Sequence, residues 1–260
     1  MPTDESAAVP QTTTKSRIVG AIPARFGSSR LPGKPLRQLA GRSLIEHVYR
    51  QATRAAELDQ VVVLTDDQRI FEAVSRFEGN VEMTPTECAS GTDRVAAAAR
   101  HWPVTAVVNI QGDEPLIDPQ AIDTLARHLK ENPNDPMVTL AAPAEPGDRD
   151  NPDVVKVVID LSGTALYFSR SPIPYRRGSD PHADLRHICI YGYQLQTLLD
   201  LADLPASALE RSESLEQLRA LENGISIKVL QVARAWQGVD TMEDLERVES
   251  ILKQAVSSTS

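Results

Sequence analysis

IVGAIPARFGSSRLPGKPL, residues 18–36, decides the reading of this 260-residue chain. The apolar run Ile18 to Ile22 reads as a short strand, and the loop after it carries Arg25, Arg30 and Lys34 at spacings of five and four residues. Gly27 and Gly33 let backbone N–H groups approach an anion closely, because oriented amides in such a turn form a concave anion site. Arginine adds forked donors and lysine a compact charge. Any two of these features alone describe a solvated basic turn; all of them together after a strand describe a phosphate grip. The loop is not a Walker A motif: five residues separate Gly27 from Gly33, and Pro35 follows Lys34 where a metal-binding Ser or Thr is needed. Nor does the chain contain G-x-G-x-x-G, so a dinucleotide-binding dehydrogenase is not the natural reading.

The basic loop is an exception in an acidic protein. With a formal net charge of −9, general adhesion to nucleic acid or to an anionic membrane is disfavoured, and the target of the loop is a small anion. With 41% hydrophobic and 24% charged residues, a chain of this length can bury a core in one large or two small domains. Cys88 and Cys189 make no disulfide framework and no C-x-x-C zinc site, which fits a reducing cytoplasm. Met1 to Ser16 is rich in Thr, Ser and Pro and has no apolar core, so it reads as a disordered tail rather than a signal peptide or anchor.

Strand-like and helix-like patterns then alternate. Ser43 to Ala56 has helical apolar spacing, with Ser43 and Glu46 fitting a capping box. The run Val61 to Leu64 stops abruptly at Thr65-Asp66-Asp67, as a buried parallel strand does at its carboxyl end, and a helix follows to Arg76. Asp66 and Asp67 could bind a ligand, but capping that helix is the plainer role. Ser90-Gly91-Thr92-Asp93-Arg94 opens an alanine-rich helix to His101, and the strand Ala106 to Gln111 ends in Gly112-Asp113-Glu114-Pro115. Both places are where open α/β sheets bind ligands, at helix N-termini and beyond strand carboxyl ends. Asp113 could be a plain turn carboxylate; beside a phosphate loop, a strand-end carboxylate reads as a metal ligand. Val138 to Ala142 is a further strand, and Asp148-Arg149-Asp150, in a polar Pro/Gly stretch, is expected to be a solvated loop.

The second half reads differently. Val154 to Asp160, Gly163 to Ser169 and Arg186 to Tyr193 suggest a small β-rich substructure beside the main sheet, with the loop Arg170 to Arg177 between the latter two. Leu209 to Asn223 reads as a single helix carrying Leu215, Leu218 and Leu221 on one face, closed by Gly224. A strand over Ile225 to Val232, the stretch Gly238-Val239-Asp240-Thr241 and an amphipathic helix from Met242 to about Val256 complete the chain. Asp240 could cap that last helix with Glu243, although Thr241 with Asp244 could do the same.

In order along the chain, PARFGSSRLPGKPL, SGTDRVA, NIQGDEPLI, NPDVVKVV, ALYFSRSPIPYRR, HICIYGY, LERSESLEQLRALENG and GVDTMEDL resemble the 3-deoxy-manno-octulosonate cytidylyltransferases, or CMP-Kdo synthetases, over roughly residues 17–253. The resemblance implies an α/β fold with a mixed, mostly parallel central sheet flanked by helices, of the nucleotide-diphospho-sugar transferase type. It implies one domain over residues 17–256, with a small β-rich lobe at about 154–193 for sugar binding and dimerisation. The implied enzyme is a cytoplasmic, magnesium-dependent homodimer that makes CMP-Kdo and pyrophosphate from CTP and Kdo for lipopolysaccharide biosynthesis. It implies that Arg25, Lys34, Asp113 and Asp240 are the catalytic residues. Arg25, Arg30 and Lys34, with Gly91, Asp93 and Arg94, would bind CTP; Asp113 and Asp240 would hold Mg2+. Gln111, Arg170, His187, Tyr191, Glu216 and Gln217 would bind the sugar acid. Cys189 stands where the family has glycine in HIGIYGY, within the sugar-binding strand, and 8-amino-Kdo or a sialic acid is the alternative acceptor; Met242 stands where it has proline, at a helix N1 position where the change should cost little. A non-catalytic nucleotide-binding paralogue is a further alternative, and a glycosyltransferase is disfavoured because no strand ends in D-x-D.

Overall fold

The computed structural model describes residues 17–27, 31–178 and 184–257. Arg30 of the phosphate loop and the tail expected over residues 1–16 lie outside them. Among the described residues nine strands form one sheet. Its main path runs β11 (Ile227–Gln231), β7 (Met137–Pro143), β10 (Leu185–Gln194), β6 (Ala106–Asn109), β1 (Ile18–Pro23), β4 (Gln60–Thr65), β5 (Val81–Met83). All of these pairings are parallel except those of β10, which runs antiparallel between β6 and β7. The sheet is therefore mixed and mostly parallel, as the motifs imply. A hairpin of β8 (Lys156–Ile159) and β9 (Ala165–Ser169) continues from the first residues of β10, and a small ribbon of β2 (Gln38–Leu39) and β3 (Arg42–Ser43) follows the phosphate loop.

Both faces of the sheet are covered, which is why β1 and β4 are apolar without a polar alternation. Ile18, Ile22, Val61 and Val63 point to one face, where they pack with α1 (Leu44–Ala52), α2 (Gln68–Arg76) and α4 (Pro119–Glu131). Val19, Ala21, Val62 and Leu64 point to the other, against α3 (Gly91–Ala99), α5 (Leu195–Asp203) and α7 (Gln217–Glu222). A separate cluster of Leu31, Leu39, Leu44, Val239 and Val248 fastens α8 (Met242–Ser257) beside the phosphate loop. None of the described helices is long and apolar enough to cross a membrane.

Several local expectations change. Ser43 does cap α1 by accepting from the Glu46 N–H, but the Glu46 carboxylate turns to Arg50 at 2.8 Å, so the reciprocal half of the capping box is not made. Asp67 caps α2, while Asp66 pairs with Arg94 instead. The helix expected over Leu209 to Asn223 is two short ones, α6 (Ala208–Glu213) and α7, because Ser214 adopts a left-handed conformation at φ 52°. The strand assigned to the β-rich substructure, β10, is continuous with the main sheet: its first residues pair with β8 and the rest lies between β6 and β7. Asp148 is not solvated. It is buried, accepts the Glu145 N–H at 2.8 Å and pairs with Arg186 at 3.1 Å, because a carboxylate taken out of water needs such partners.

Candidate active site

Parallel strands β1 and β6 end side by side, and their carboxyl ends open into a cavity of about 300 Å³ lined by Arg25, Gly27, Lys34, Gly91, Arg94, Gln111, Asp113 and Asp240. Two glycines make this geometry possible. Gly33 has φ 67°, a region costly for other residues, and its N–H donates to the Phe26 carbonyl at 3.2 Å, folding the phosphate loop back on itself. At Gly112 a Cβ would lie 3.0 Å from the Pro23 carbonyl oxygen, a tight contact that glycine avoids where the two strand ends approach. Phe26 is held under the loop by the Arg69 guanidinium stacked on its ring.

Lys34 is the centre of the cavity. Its ammonium donates to Asp113 Oδ2 at 2.6 Å, to the Val239 carbonyl at 3.0 Å and to Asp240 Oδ1 at 3.1 Å. Burial opposes its charge, but Asp113 and Asp240 outweigh burial and hold its pKa above the ordinary value. The fold thus brings Asp113 and Asp240 together around one cation. Asp240 is not the cap of α8: Thr241 Oγ1 accepts the Asp244 N–H at 3.2 Å and the Asp244 carboxylate accepts the Thr241 N–H at 3.0 Å. The Asp240 carboxylate, half exposed, is left to face Lys34. Two carboxylates and a carbonyl converging on a cation are hard-oxygen donors of the kind that could hold magnesium. Among the described residues no cluster of three or more His, Cys, Asp or Glu side chains forms an all-protein metal cage.

The other nucleotide residues divide by whether they are available. Arg25 is exposed at the cavity rim. Gly91 begins α3; the capping box there engages the N–H groups of Ser90 and Asp93, and that of Gly91 stands at the helix N-terminus, where the positive end of the dipole favours an anion. The Asp93 carboxylate belongs to that box, accepting the Ser90 N–H at 3.0 Å. Arg94 is 3% exposed, donating to Asp66 at 2.7 Å and to the Thr84 hydroxyl. Of the two residues assigned to CTP on the motif, Arg94 lines the cavity while paired with Asp66, and Asp93 caps α3 without lining either cavity.

A second cavity, about 670 Å³, shares Arg25, Gly91, Gln111 and Asp240 with the first. It gathers Arg170, His187, Tyr191, Glu216 and Gln217 from β9's end, β10 and the start of α7, so every residue assigned to the sugar reaches one place. A bulge in β10 does part of this. Ile188 faces Leu140 and Tyr191 faces the next residue, Thr139, so Cys189 and Ile190 are extra and the strand re-aims its side chains. Thr139 Oγ1 lies 2.7 Å from the Ile190 carbonyl and 2.9 Å from His187 Nε2. A hydroxyl that donates to the carbonyl must accept from the imidazole, which assigns the proton to Nε2 and leaves Nδ1 an acceptor. Burial lowers the His187 pKa to about 3, so the ring is neutral at neutral pH.

Glu114 is a site residue that the sequence reading does not single out. It lines the second cavity with Trp236, and its Oε2 is buried with no hydrogen-bond partner among the described residues. Burial, then the neighbouring Asp113, push its pKa up to about 8. The available signal was a second acid directly after the strand-end Asp113. Trp236, in an irregular stretch between β11 and α8, carried none.

A family profile described as cytidylyltransferase matches residues 19–227. The 3-deoxy-manno-octulosonate cytidylyltransferase of Syntrophotalea carbinolica is 49% identical over 246 residues, covering 91% of this chain and 98% of that protein. The Escherichia coli protein of the same name is 42% identical over 93% of this chain and 98% of its own length. A solved structure of CMP:2-keto-3-deoxy-manno-octonic acid synthetase complexed with CTP superposes with a TM-score of 0.89 at 42% identity, covering 92% of this chain and all of that one. The chain belongs to the 3-deoxy-manno-octulosonate cytidylyltransferase family.

Proposed function

We propose that this member of the family transfers CMP from CTP to the anomeric hydroxyl of Kdo, releasing pyrophosphate, with Asp113 and Asp240 holding magnesium. The observation that carries the reading is the pair of joined cavities: a cationic one at the ends of β1 and β6, and one that gathers Arg170, His187, Tyr191, Glu216 and Gln217, sharing Gln111 and Asp240. A nucleotide and an acceptor can therefore meet at the shared wall.

In-line attack of a sugar hydroxyl on the α-phosphorus builds charge on phosphate oxygens, and a protein assists it mainly by positioning and by fixed cations. Arg25 at the rim and the Gly91 N–H at the start of α3 would receive the triphosphate. Lys34 lines the nucleotide cavity as a fixed cation, its pKa held above the ordinary value by Asp113 and Asp240 against the opposing effect of burial, and would stabilise the departing pyrophosphate. Magnesium, when bound, would neutralise phosphate charge and lower the pKa of the attacking hydroxyl. On the acceptor side, Arg170 supplies a guanidinium to the sugar carboxylate. The neutral His187 offers Nδ1 to a hydroxyl. No covalent nucleophile is needed.

The product chemistry fits lipopolysaccharide biosynthesis in the cytoplasm, where CTP is available. Leu161, Leu166 and Tyr175 are exposed on and beside the β8–β9 hairpin, apolar surface that a second copy of the chain would cover, which supports a homodimer. Pyrophosphate release tests the reading in a panel crossing CTP, ATP, GTP and UTP with Kdo, 8-amino-Kdo and a sialic acid. Turnover with CTP and Kdo is expected, far above ATP or GTP. Equal use of ATP would overturn the nucleotide assignment, and preference for another acid would move the acceptor.

A further inference from the structure

Ser214 interrupts a run of good helix formers, and the interruption has a consequence for Arg170. A residue other than glycine in the left-handed region is unfavourable by itself and persists where surrounding contacts over-determine it. The contacts here belong to the preceding residue, Glu213. Its backbone carbonyl, freed from the helix, accepts from Arg170 Nε at 2.8 Å. Its carboxylate accepts the Arg170 backbone N–H at 2.9 Å and the Ser169 hydroxyl at 2.6 Å. From the opposite side the buried Lys156 ammonium donates to the Arg170 carbonyl at 2.5 Å while also holding the carbonyls of Asn151 and Val154. Nη1 of Arg170 donates to the Pro152 carbonyl at 2.9 Å.

Arg170 is thus fixed at its N–H, its C=O, Nε and Nη1 before any ligand arrives. Arginine is among the side chains with most rotamer freedom, and a group ordered in advance loses less on binding. We propose that Glu213 is a positioning residue for sugar binding, which pre-orders the Arg170 guanidinium toward the acceptor cavity without touching the substrate itself. The inference rests on the reading of Arg170 as the carboxylate clamp. Glu213 does not line either cavity, so its effect on the acceptor must pass through Arg170. The backbone carbonyl on Arg170 Nε is kept in any variant. Both carboxylate holds can survive in a glutamine, whose Oε1 accepts from the Arg170 N–H while its amide donates to the Ser169 hydroxyl. Neither survives in alanine.

Steady-state pyrophosphate release with CTP and Kdo tests this in wild type, Glu213→Ala and Glu213→Gln, with circular dichroism melting of each. Glu213→Ala is expected to raise the sugar KM roughly tenfold, the scale of ordering one rotamer-rich side chain on binding, with the CTP KM unchanged. Glu213→Gln is expected to recover most of that loss. A role confined to stability would lower the melting temperature and leave both KM values at wild type, and that result overturns the proposal, as does an equal rise in both. Should Glu213→Ala not fold, Glu213→Asp keeps the charge but shortens its reach and carries the same contrast. Wild type that turns over no sugar acid with CTP overturns the functional reading and this inference with it. Wild-type turnover with an unchanged sugar KM in the variants overturns this inference alone.

Discussion

Replacing Asp240 by Asn separates a structural from a catalytic role for the carboxylate beside Lys34. The structure removes the main structural one, since Thr241 and Asp244 already cap α8 between them. Its ion pair with Lys34 Nζ spans 3.1 Å, to a carboxylate 50% exposed. Two unit charges at this range in a water-like dielectric interact by about 1 kcal/mol, and exposed pairs measured by double-mutant cycles contribute at or below about 1 kcal/mol. Asn keeps an oxygen for the ammonium, and Lys34 keeps Asp113 and the Val239 carbonyl. The expected fall in melting temperature is therefore small, about 2 °C for a chain of this size. A metal ligand is worth far more to the chemistry: losing transition-state charge stabilisation of several kcal/mol at about 1.4 kcal/mol per factor of ten predicts a drop in kcat of at least about a hundredfold. The assay is pyrophosphate release across a magnesium titration, with calorimetric melting beside it. Expected is near-wild-type melting with poor turnover at every magnesium concentration. Wild-type kcat would refute the metal-ligand role and leave Asp113 without its partner; a large loss of melting temperature would show the pair with Lys34 to be structural.

Three further outcomes follow from the same geometry. Arg170→Ala should raise the sugar KM at least roughly tenfold, as loss of a charge-assisted hydrogen bond does, and leave the CTP KM alone; the opposite pattern would move Arg170 to the nucleotide half. Arg94→Ala should cost about 3 kcal/mol in urea unfolding, because it removes the buried guanidinium that pairs with the partly buried Asp66, and should reduce CTP affinity through the altered cavity wall; unchanged stability would contradict that pairing. His187 takes up a proton in the unfolded chain near its ordinary pKa but in the fold only at about 3. Its folded pKa being the lower, the unfolded state binds more protons as pH falls through that window, and stability is lost with falling pH. His187→Gln should flatten that part of a melting-temperature profile; an unchanged slope would mean that the ring titrates normally.

The strands were legible where burial on both faces fixes composition. β1, β4 and β6 are short apolar runs with abrupt ends, and the cavity lies at the carboxyl ends of β1 and β6. The caps at Ser43 and Asp67 were legible because capping is a local contact between residues two or three apart. The ammonium site could not be read in that way. Lys34 meets Asp113 across 79 residues and Asp240 across 206, and only the order of motifs along the chain, by resemblance, suggested that they converge.

The failures have the same cause with the sign reversed. LERSESLEQLRALEN has helical spacing throughout, and local propensity gives no reason to break it at Ser214; the reason is Glu213 binding Arg170 and Ser169, more than forty residues earlier. HICIYGY reads as an unbroken strand, and the bulge at Cys189 and Ile190 exists because Thr139, on the neighbouring strand, holds the displaced carbonyl. Asp148 looks like loop decoration until Arg186 arrives from β10. All three departures lie around the acceptor cavity, whereas in the nucleotide cavity the loop, the helix start and the strand end follow local signals and only the meeting of Lys34 with Asp113 and Asp240 does not. A triphosphate presents the same charges wherever it is bound, so a loop, a helix start and a strand end can receive it with contacts that are near in sequence. An acceptor sugar must be recognised by its particular shape and hydroxyl pattern, which requires side chains aimed individually from separate elements, and aiming them is what the broken helix and the bulge accomplish.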